Sequence, residues 1–225
     1  RLGFTAIQLR PQWIWHEREE GKFIWDDMDR LIELAEHNGL KVLFKFFLET
    51  APPWLYKNYD AQRVAANGVP IKPRARGSFP VGGWMPCFDK PVVWEKAARF
   101  VQNGVERYRH KKNILGWHLW NEPRSRPFDD CACEHSTDFY RKWLAETYGS
   151  VAQFNETFGL AMQDWEDIDP PPDISGYYDS WLWRTSRAHA VAAWIKRMAD
   201  LVRSLDPDRP LFCHVGFNPL LQPTF

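Results

Sequence analysis

A short apolar run closed by Asn-Glu-Pro constrains this chain more than any other segment. Residues 116–120 read Gly-Trp-His-Leu-Trp, and Asn-Glu-Pro follows at 121–123. In a parallel α/β fold, reactive groups collect at the carboxyl ends of the strands. Because side chains alternate along a strand, we expect His118, Trp120 and Glu122 to share one side. Two rings beneath a carboxylate limit its hydration and favour its protonated form, which suits Glu122 as a proton donor. A solvated glutamate at an ordinary turn is the alternative.

Strands and helices alternate along the rest of the chain. The hydrophobic patterns predict strands at 4–9, 40–48, 114–120 and 211–215, and helices at 25–39, 91–110, 137–148, 151–158 and 176–205. The segment 49–86 is rich in Pro, Gly and Arg and is predicted to be a long irregular loop. Repeated strand–helix units predict an α/β fold of the (β/α)₈ barrel type. A closed barrel needs eight strands, so either strands have been missed or the chain holds part of a barrel.

Composition narrows the class of partner. Lys and Arg together number 29, and so do Asp and Glu, so the net charge is zero. Nucleic acid or an anionic membrane as the main partner would favour a basic surplus, so neither is expected. No apolar stretch approaches the roughly 20 residues that span a bilayer. The chain starts at Arg1 without Met, so we expect that it does not begin at a natural start.

Tryptophan is unusually abundant. The chain has 13 Trp residues, and we expect most of them to pack in a core. The flat apolar face of an indole ring also suits the C–H face of a sugar. A few Trp residues at strand ends would therefore serve a carbohydrate site.

The segment from residue 121 to residue 171 resembles glycoside hydrolase family 42, which contains β-galactosidases with a (β/α)₈ barrel. The motifs that carry the resemblance are Cys131-x-Cys133, Phe139-x-x-x-Trp143-Leu144, Tyr148-Gly149, Asn155-x-x-Phe158-Gly159 and Trp165-x-x-Ile168-x-x-Pro171. Upstream, Trp13-x-x-x-Glu17-x-x-x-Gly21 and Ala51-Pro52-Pro53-Trp54-Leu55 follow the family's order. The resemblance therefore covers nearly the whole chain, as one partial catalytic domain over 1–225.

The resemblance implies a retaining glycoside hydrolase that cleaves terminal β-galactosides. Glu122 would be the general acid/base, and Asn121 would bind the 2-hydroxyl of the sugar. The four strands would be the second to the fifth of the barrel, and the nucleophilic Glu would lie beyond Phe225. We therefore expect this chain alone to be inactive. The alternatives are another β-glycosidase of the same clan, such as a β-glucosidase or mannanase, and a carbohydrate-binding pseudo-enzyme.

Three further residues are candidates for substrate binding. Arg10 follows the first predicted strand, where it would either position the substrate or be a surface charge. Trp120 lies beside the catalytic pair, and Trp165 would stand in for aromatic residues that the family carries nearby. Several positions that shape the sugar pocket depart from the family's pattern. The resemblance therefore supports a glycosidase more firmly than it supports galactose.

The cysteines suggest a structural metal rather than a disulfide scaffold, because four are too few for such a scaffold. In the family, Cys residues at the positions of Cys87, Cys131 and Cys133 converge, and converging thiolates make a tetrahedral zinc site. The family's remaining Cys is replaced by Ser136, so His135 would complete a site of three Cys and one His. A metal-free remnant of that site is the alternative. No cofactor is expected for catalysis.

Assembly and location have weaker signals. Family members are often trimers, which implies a homo-oligomer. Reduced cysteines favour a cytoplasmic location. Cys213 lies alone in a predicted strand and is interpreted as a core residue.

Overall fold

The computed structural model describes residues 3–71, 86–121, 123, 131–172 and 178–214. Within the predicted domain these residues form two compact units. Unit 1 contains residues 3–61, 86–121, 123 and 193–214, and unit 2 contains residues 62–71, 131–172 and 178–192. Both units are therefore assembled from segments that are distant in sequence.

Unit 1 is built on a parallel sheet. In the described residues the sheet has four strands in the order β1-β2-β3-β4, namely β1 Ala6–Leu9, β2 Lys41–Lys45, β3 Ile114–Asn121 and β4 Leu211–His214. All three strand pairs are parallel. The four predicted strands are therefore confirmed, each within a few residues of its predicted bounds.

Helices connect these strands, as a parallel sheet requires. They are α1 Trp13–His16, α2 Asp26–His37, α3 Pro53–Asn58, α4 Pro91–Tyr108 and the long α7 Tyr178–Leu205, whose first part belongs to unit 2. The prediction of an irregular segment over 49–86 was wrong for α3. Its first residue is Pro53, whose fixed φ and missing N–H suit the first position of a helix.

Aromatic rings fill the layer between the sheet and the helices of unit 1. Trp117 of β3 stacks on Phe46, with ring centroids 6.0 Å apart. Trp25 stacks on Phe100 of α4 at 5.4 Å. All four residues are buried. Both tryptophans therefore serve packing, the role that the sequence predicts for the majority.

A buried carboxylate explains the spacing Trp13-x-x-x-Glu17-x-x-x-Gly21. The Glu17 side chain is inaccessible to solvent. It accepts hydrogen bonds from Trp13 Nε1 at 2.7 Å, from the Gly21 backbone N–H at 2.8 Å and from Arg99 at 2.6 Å. A buried charge needs such partners to offset the loss of hydration. This motif therefore stabilises the segment after β1 and holds it against α4.

Unit 2 is helical in its described part. It contains α5 Glu134–Tyr148, α6 Val151–Phe158, a 3₁₀ turn at Trp165–Asp167 and the beginning of α7. Its core consists of six buried side chains, Tyr140, Leu144, Phe154, Ile168, Leu182 and Trp183. α5 begins three residues before its predicted start, where Glu134 in the first turn complements the positive end of the helix. The family-like segment therefore forms its own small apolar core.

None of the helices in the described ranges combines the length and apolar character needed to cross a membrane.

Candidate active site

The carboxyl ends of the four parallel strands meet at one edge of the unit 1 sheet. Arg10 follows β1, Lys45 ends β2, Asn121 ends β3 and Cys213 lies in the last half of β4. In parallel α/β folds this edge carries the reactive groups. The predicted site residues Arg10 and Asn121 therefore lie at the edge expected for them.

Asn121 is held by a buried lysine. Lys45 has a relative exposure of 0%, and its Nζ donates a hydrogen bond to Asn121 Oδ1 at 2.5 Å. The two strands are adjacent, with Lys45 paired to His118 in the register of β2 and β3. An ammonium group has hydrogen-bond donors and no acceptor, so the carbonyl end of the carboxamide must face it. The amide nitrogen of Asn121 is thereby directed away from Lys45.

A second charged group lies close to this contact. Glu49 follows β2 and is buried. Burial raises the pKa of the Cys213 thiol to about 11. The positive charge of Lys45 acts to lower this pKa, and the negative charge of Glu49 acts to raise it. Both charges therefore act on the same strand end. Cys213, which the sequence predicted to be a core residue, is only half-buried and lies at the candidate site.

Lys45 is the site residue that the sequence interpretation missed. It sits inside the predicted strand 40–48, whose other positions are almost all apolar. Lys41, at the start of the same strand, is exposed, whereas Lys45 is buried. A lysine within a strand that is covered on both faces is unusual, and that signal could have identified it.

Glu122, the predicted general acid/base, lies outside the described residues. It follows Asn121 directly in the sequence. The pairing of β3 with β4 is irregular between His118 and Asn121. The shared side of His118, Trp120 and Glu122 stays a prediction.

Trp120 is a buried residue of unit 1. Its exposure is 3%, and its ring lies 4.8 Å from the ring of Phe88 and 6.2 Å from that of Trp194. These contacts give Trp120 a packing role. Contact with a sugar stays a prediction for this residue.

Arg10 is exposed, and its Nε donates a hydrogen bond to Gln8 at 2.8 Å. Trp165 belongs to unit 2, where it is half-buried and packs on Phe154 with ring centroids 5.6 Å apart. A role in substrate binding stays a prediction for both residues.

Two of the predicted metal ligands come together in unit 2. The Sγ atoms of Cys131 and Cys133 lie within 4.8 Å of one another. Cys131 Sγ accepts a hydrogen bond from the Val64 backbone N–H at 3.3 Å, and Cys133 Sγ lies 3.5 Å from Ser136 Oγ. His135 is exposed in the first turn of α5. Neither of its ring nitrogens lies within 4.8 Å of both thiol sulfurs.

Cys87 belongs to unit 1. It is buried just before α4, and its backbone N–H donates to the carbonyl of Ala61 at 3.0 Å. Ala61 is the last residue before the chain enters unit 2, and Val64 is the third residue of that unit. Cys87 and Cys131 are therefore each held by a hydrogen bond within their own unit.

Comparison with known proteins gives consistent matches. The sequence profile of the glycoside hydrolase 42 family, described as beta-galactosidase, matches residues 4–218. Beta-galactosidase Bga of Halorubrum lacusprofundi is 29% identical over 201 residues, which are 85% of this chain and 28% of that protein. A beta-galactosidase of Thermus thermophilus is 30% identical over 149 residues, 66% of this chain and 22% of that protein. The chain thus spans about a quarter of the length of these relatives.

Solved structures match the fold. The polyextremophilic beta-galactosidase from Halorubrum lacusprofundi has a TM-score of 0.81 at 26% identity, covering 98% of this chain and 34% of that chain. The beta-galactosidase from Bacillus circulans sp. alkalophilus also has a TM-score of 0.81, at 23% identity, covering 96% of this chain and 33% of that chain. The predicted fold, part of a (β/α)₈ barrel, is confirmed.

Proposed function

The chain belongs to the glycoside hydrolase 42 family, and from this membership we propose that it supplies the proton-donating half of a retaining β-galactosidase site. Retaining hydrolysis uses two carboxyl groups about 5 Å apart, one that donates a proton and one that attacks the anomeric carbon. Glu122 is the proton donor in this proposal. The nucleophile is assigned to a part of the protein outside these 225 residues.

The fixed carboxamide of Asn121 carries the proposal. Asn121 directly precedes Glu122 and ends β3 at the edge of the sheet where active sites of this fold lie. Its Oδ1 is bonded to the buried Lys45, so the side chain is ordered. An ordered amide beside the proton donor can bind the sugar 2-hydroxyl, a contact that strengthens as the oxocarbenium-like transition state forms.

The test is the hydrolysis of nitrophenyl glycosides by the complete gene product. We expect β-galactoside cleavage, and we expect Glu122→Gln to lower kcat by about 10²- to 10⁴-fold, the range of general acid–base catalysis. The loss in the first, bond-breaking step should be smaller with a dinitrophenyl leaving group, which departs without protonation. The 225-residue chain alone should be inactive, because it holds one carboxyl group of the pair.

Glu33→Gln on the exposed face of α2 is the matched control and should leave the rate unchanged. Full activity of Glu122→Gln would refute the acid/base assignment. Cleavage of β-glucosides or β-mannosides without β-galactosides would favour another glycosidase of the clan. Sugar binding by a complete protein without any hydrolysis would indicate a carbohydrate-binding pseudo-enzyme.

We also propose a structural zinc ion held by Cys87, Cys131 and Cys133. Supporting this, Cys131 and Cys133 have neighbouring Sγ atoms, and Cys131 Sγ accepts a backbone N–H bond of the kind that stabilises a thiolate. The family resemblance adds Cys87 to this set. His135 is proposed as the fourth ligand, which would close the site as structural zinc sites are closed. Such an ion would tie separate segments together without taking part in catalysis.

The proposed substrate is a galactoside, and the proposed assembly is a homotrimer, which rests on the family resemblance alone. Neither a nucleic acid nor a membrane partner is proposed.

A further inference from the structure

The buried lysine at the end of β2 enters the function proposed above only through its contact with Asn121. Lys45 is fully buried within a strand whose neighbouring residues are apolar. Burying a lysine costs free energy that an apolar side chain of similar size would not cost. Specific contacts are therefore the reason to retain the amino group, and one of these contacts is with Asn121.

That contact decides which end of the Asn121 carboxamide is available. The two ends of a carboxamide have the same shape, but one accepts hydrogen bonds and the other donates them. Lys45 can only donate, so it binds the oxygen and leaves the two N–H bonds of Nδ2 for other partners. With the reversed orientation, Nδ2 would face an ammonium group and would be repelled.

We propose that Lys45 is a positioning residue, which holds Asn121 so that its amide nitrogen donates a hydrogen bond to a hydroxyl oxygen of the substrate. This inference rests on the proposed function. Lys45 does not touch the sugar, and its effect on catalysis is transmitted through Asn121. Its removal leaves the carboxamide free to rotate, so a contact that strengthens in the transition state is weakened.

The test compares two substrates, a nitrophenyl β-galactoside and its 2-deoxy analogue, in the complete gene product. The quantity measured is kcat/KM for the β-galactoside divided by kcat/KM for the 2-deoxy analogue. We expect Lys45→Met to lower this ratio by about tenfold or more, since a polar group built to bind a hydroxyl discriminates strongly against its absence. Asn121→Ala should lower the ratio by at least as much. In the Asn121→Ala background, Lys45→Met should cause no further change, because the lysine acts through that side chain.

Lys90→Met is the matched control. Lys90 is also buried, with 4% exposure, and its Nζ pairs with Asp60 at 2.5 Å. It lies just before α4, and its ammonium group pairs with Asp60 rather than with Asn121. We expect this variant to lose stability and to keep the wild-type ratio. The control separates the loss of any buried lysine from the loss of Lys45.

Several outcomes overturn the inference. Equal slowing of both substrates by Lys45→Met would show a purely structural role, and a further fall in the ratio in the Asn121→Ala background would show that Lys45 acts independently. If Lys45→Met does not fold, Lys45→Gln, which keeps an N–H donor, takes its place. Its ratio should lie between those of wild type and Asn121→Ala. A ratio equal to that of wild type, or lower than that of Asn121→Ala, would refute the role. Wild-type activity that depends on Glu122 but not on Lys45 would refute this inference alone, whereas no hydrolysis by wild type would refute the proposed function and this inference with it.

Discussion

At the scale of single residues, two carboxylates of unit 1 are each held by several hydrogen-bond donors. Glu17 has three donors from different segments, and Asp29 has two side chains bound to it. Arg107 binds Asp29 through two nitrogens, and the Tyr108 hydroxyl donates to the same carboxylate at 2.8 Å. Such contacts connect α2 with α4, so their loss is expected to weaken the unit as a whole.

The Asp29 contact predicts a dependence of stability on pH. The hydrogen bonds from Arg107 lower the pKa of Asp29, with a further contribution from Tyr108, although burial acts in the opposite direction. A folded-state pKa below the unfolded value of about 3.9 stabilises the protein above that value. This stabilisation is lost as the pH falls through the lowered pKa. We expect the unfolding free energies of wild type and Asp29→Asn to differ at pH 7 and to converge below about pH 4.

Urea unfolding at a series of pH values measures this difference. Asp200→Asn removes an exposed carboxylate that pairs with Lys196 one helical turn away, and this control should have little effect at any pH. A difference between wild type and Asp29→Asn that stays constant from pH 7 to pH 3 would contradict the prediction.

At the scale of elements, β3 is the strand on which the candidate site depends, and its packing against β4 is tight. A Cβ atom at Gly116 would lie 2.4 Å from the carbonyl oxygen of Pro210 and 2.6 Å from the ring of Phe212. Both distances are shorter than real Cβ contacts. Gly116 is therefore required for the close approach of the two strands and not for an unusual backbone conformation.

Gly116→Ala is expected to destabilise unit 1 by about 1–3 kcal/mol, the usual cost of overpacking. Chemical denaturation followed by circular dichroism measures the loss. The neighbouring Leu115 is 42% exposed, and Leu115→Ala should cost less than Gly116→Ala. Wild-type stability of Gly116→Ala would show that β3 and β4 separate more easily than this packing indicates.

At the scale of the whole molecule, both units are discontinuous in sequence. Unit 1 takes its last strand from residues that follow α7, and unit 2 takes residues 62–71 from before α4. A metal ion bound by residues that are distant in sequence would stabilise the folded chain, because unfolding separates those residues and releases the ion. The proposed zinc site belongs to this scale, since its cysteines come from positions 87, 131 and 133.

Metal analysis of the purified protein tests the zinc proposal. We expect about one zinc per chain, lost in Cys131→Ser together with thermal stability, because a structural zinc contributes directly to folding free energy. Cys213→Ser is the control and should retain the metal. Less than about a tenth of an equivalent of zinc in wild type would refute the proposal and leave the metal-free remnant.

The sequence by itself determined the order of strands and helices, the parallel sheet and the family of this chain. Hydrophobic periodicity and the spacing of motifs are local properties, and a parallel sheet follows from the alternation of strands with helices. The helix α3 was missed because its first turn depends on two prolines within a segment without periodicity. The placement of Arg10 and Asn121 at one edge was predictable, since every strand of a parallel sheet ends there.

Only the tertiary structure decided what holds Asn121. Lys45 and Asn121 are separated by 76 positions in the chain, and their contact depends on the register of β2 against β3. Register is set by the packing of many side chains across the sheet, so no local pattern reveals it. The contacts of Trp120 with Phe88 and Trp194 are likewise tertiary, because both partners lie in segments distant from β3 in sequence.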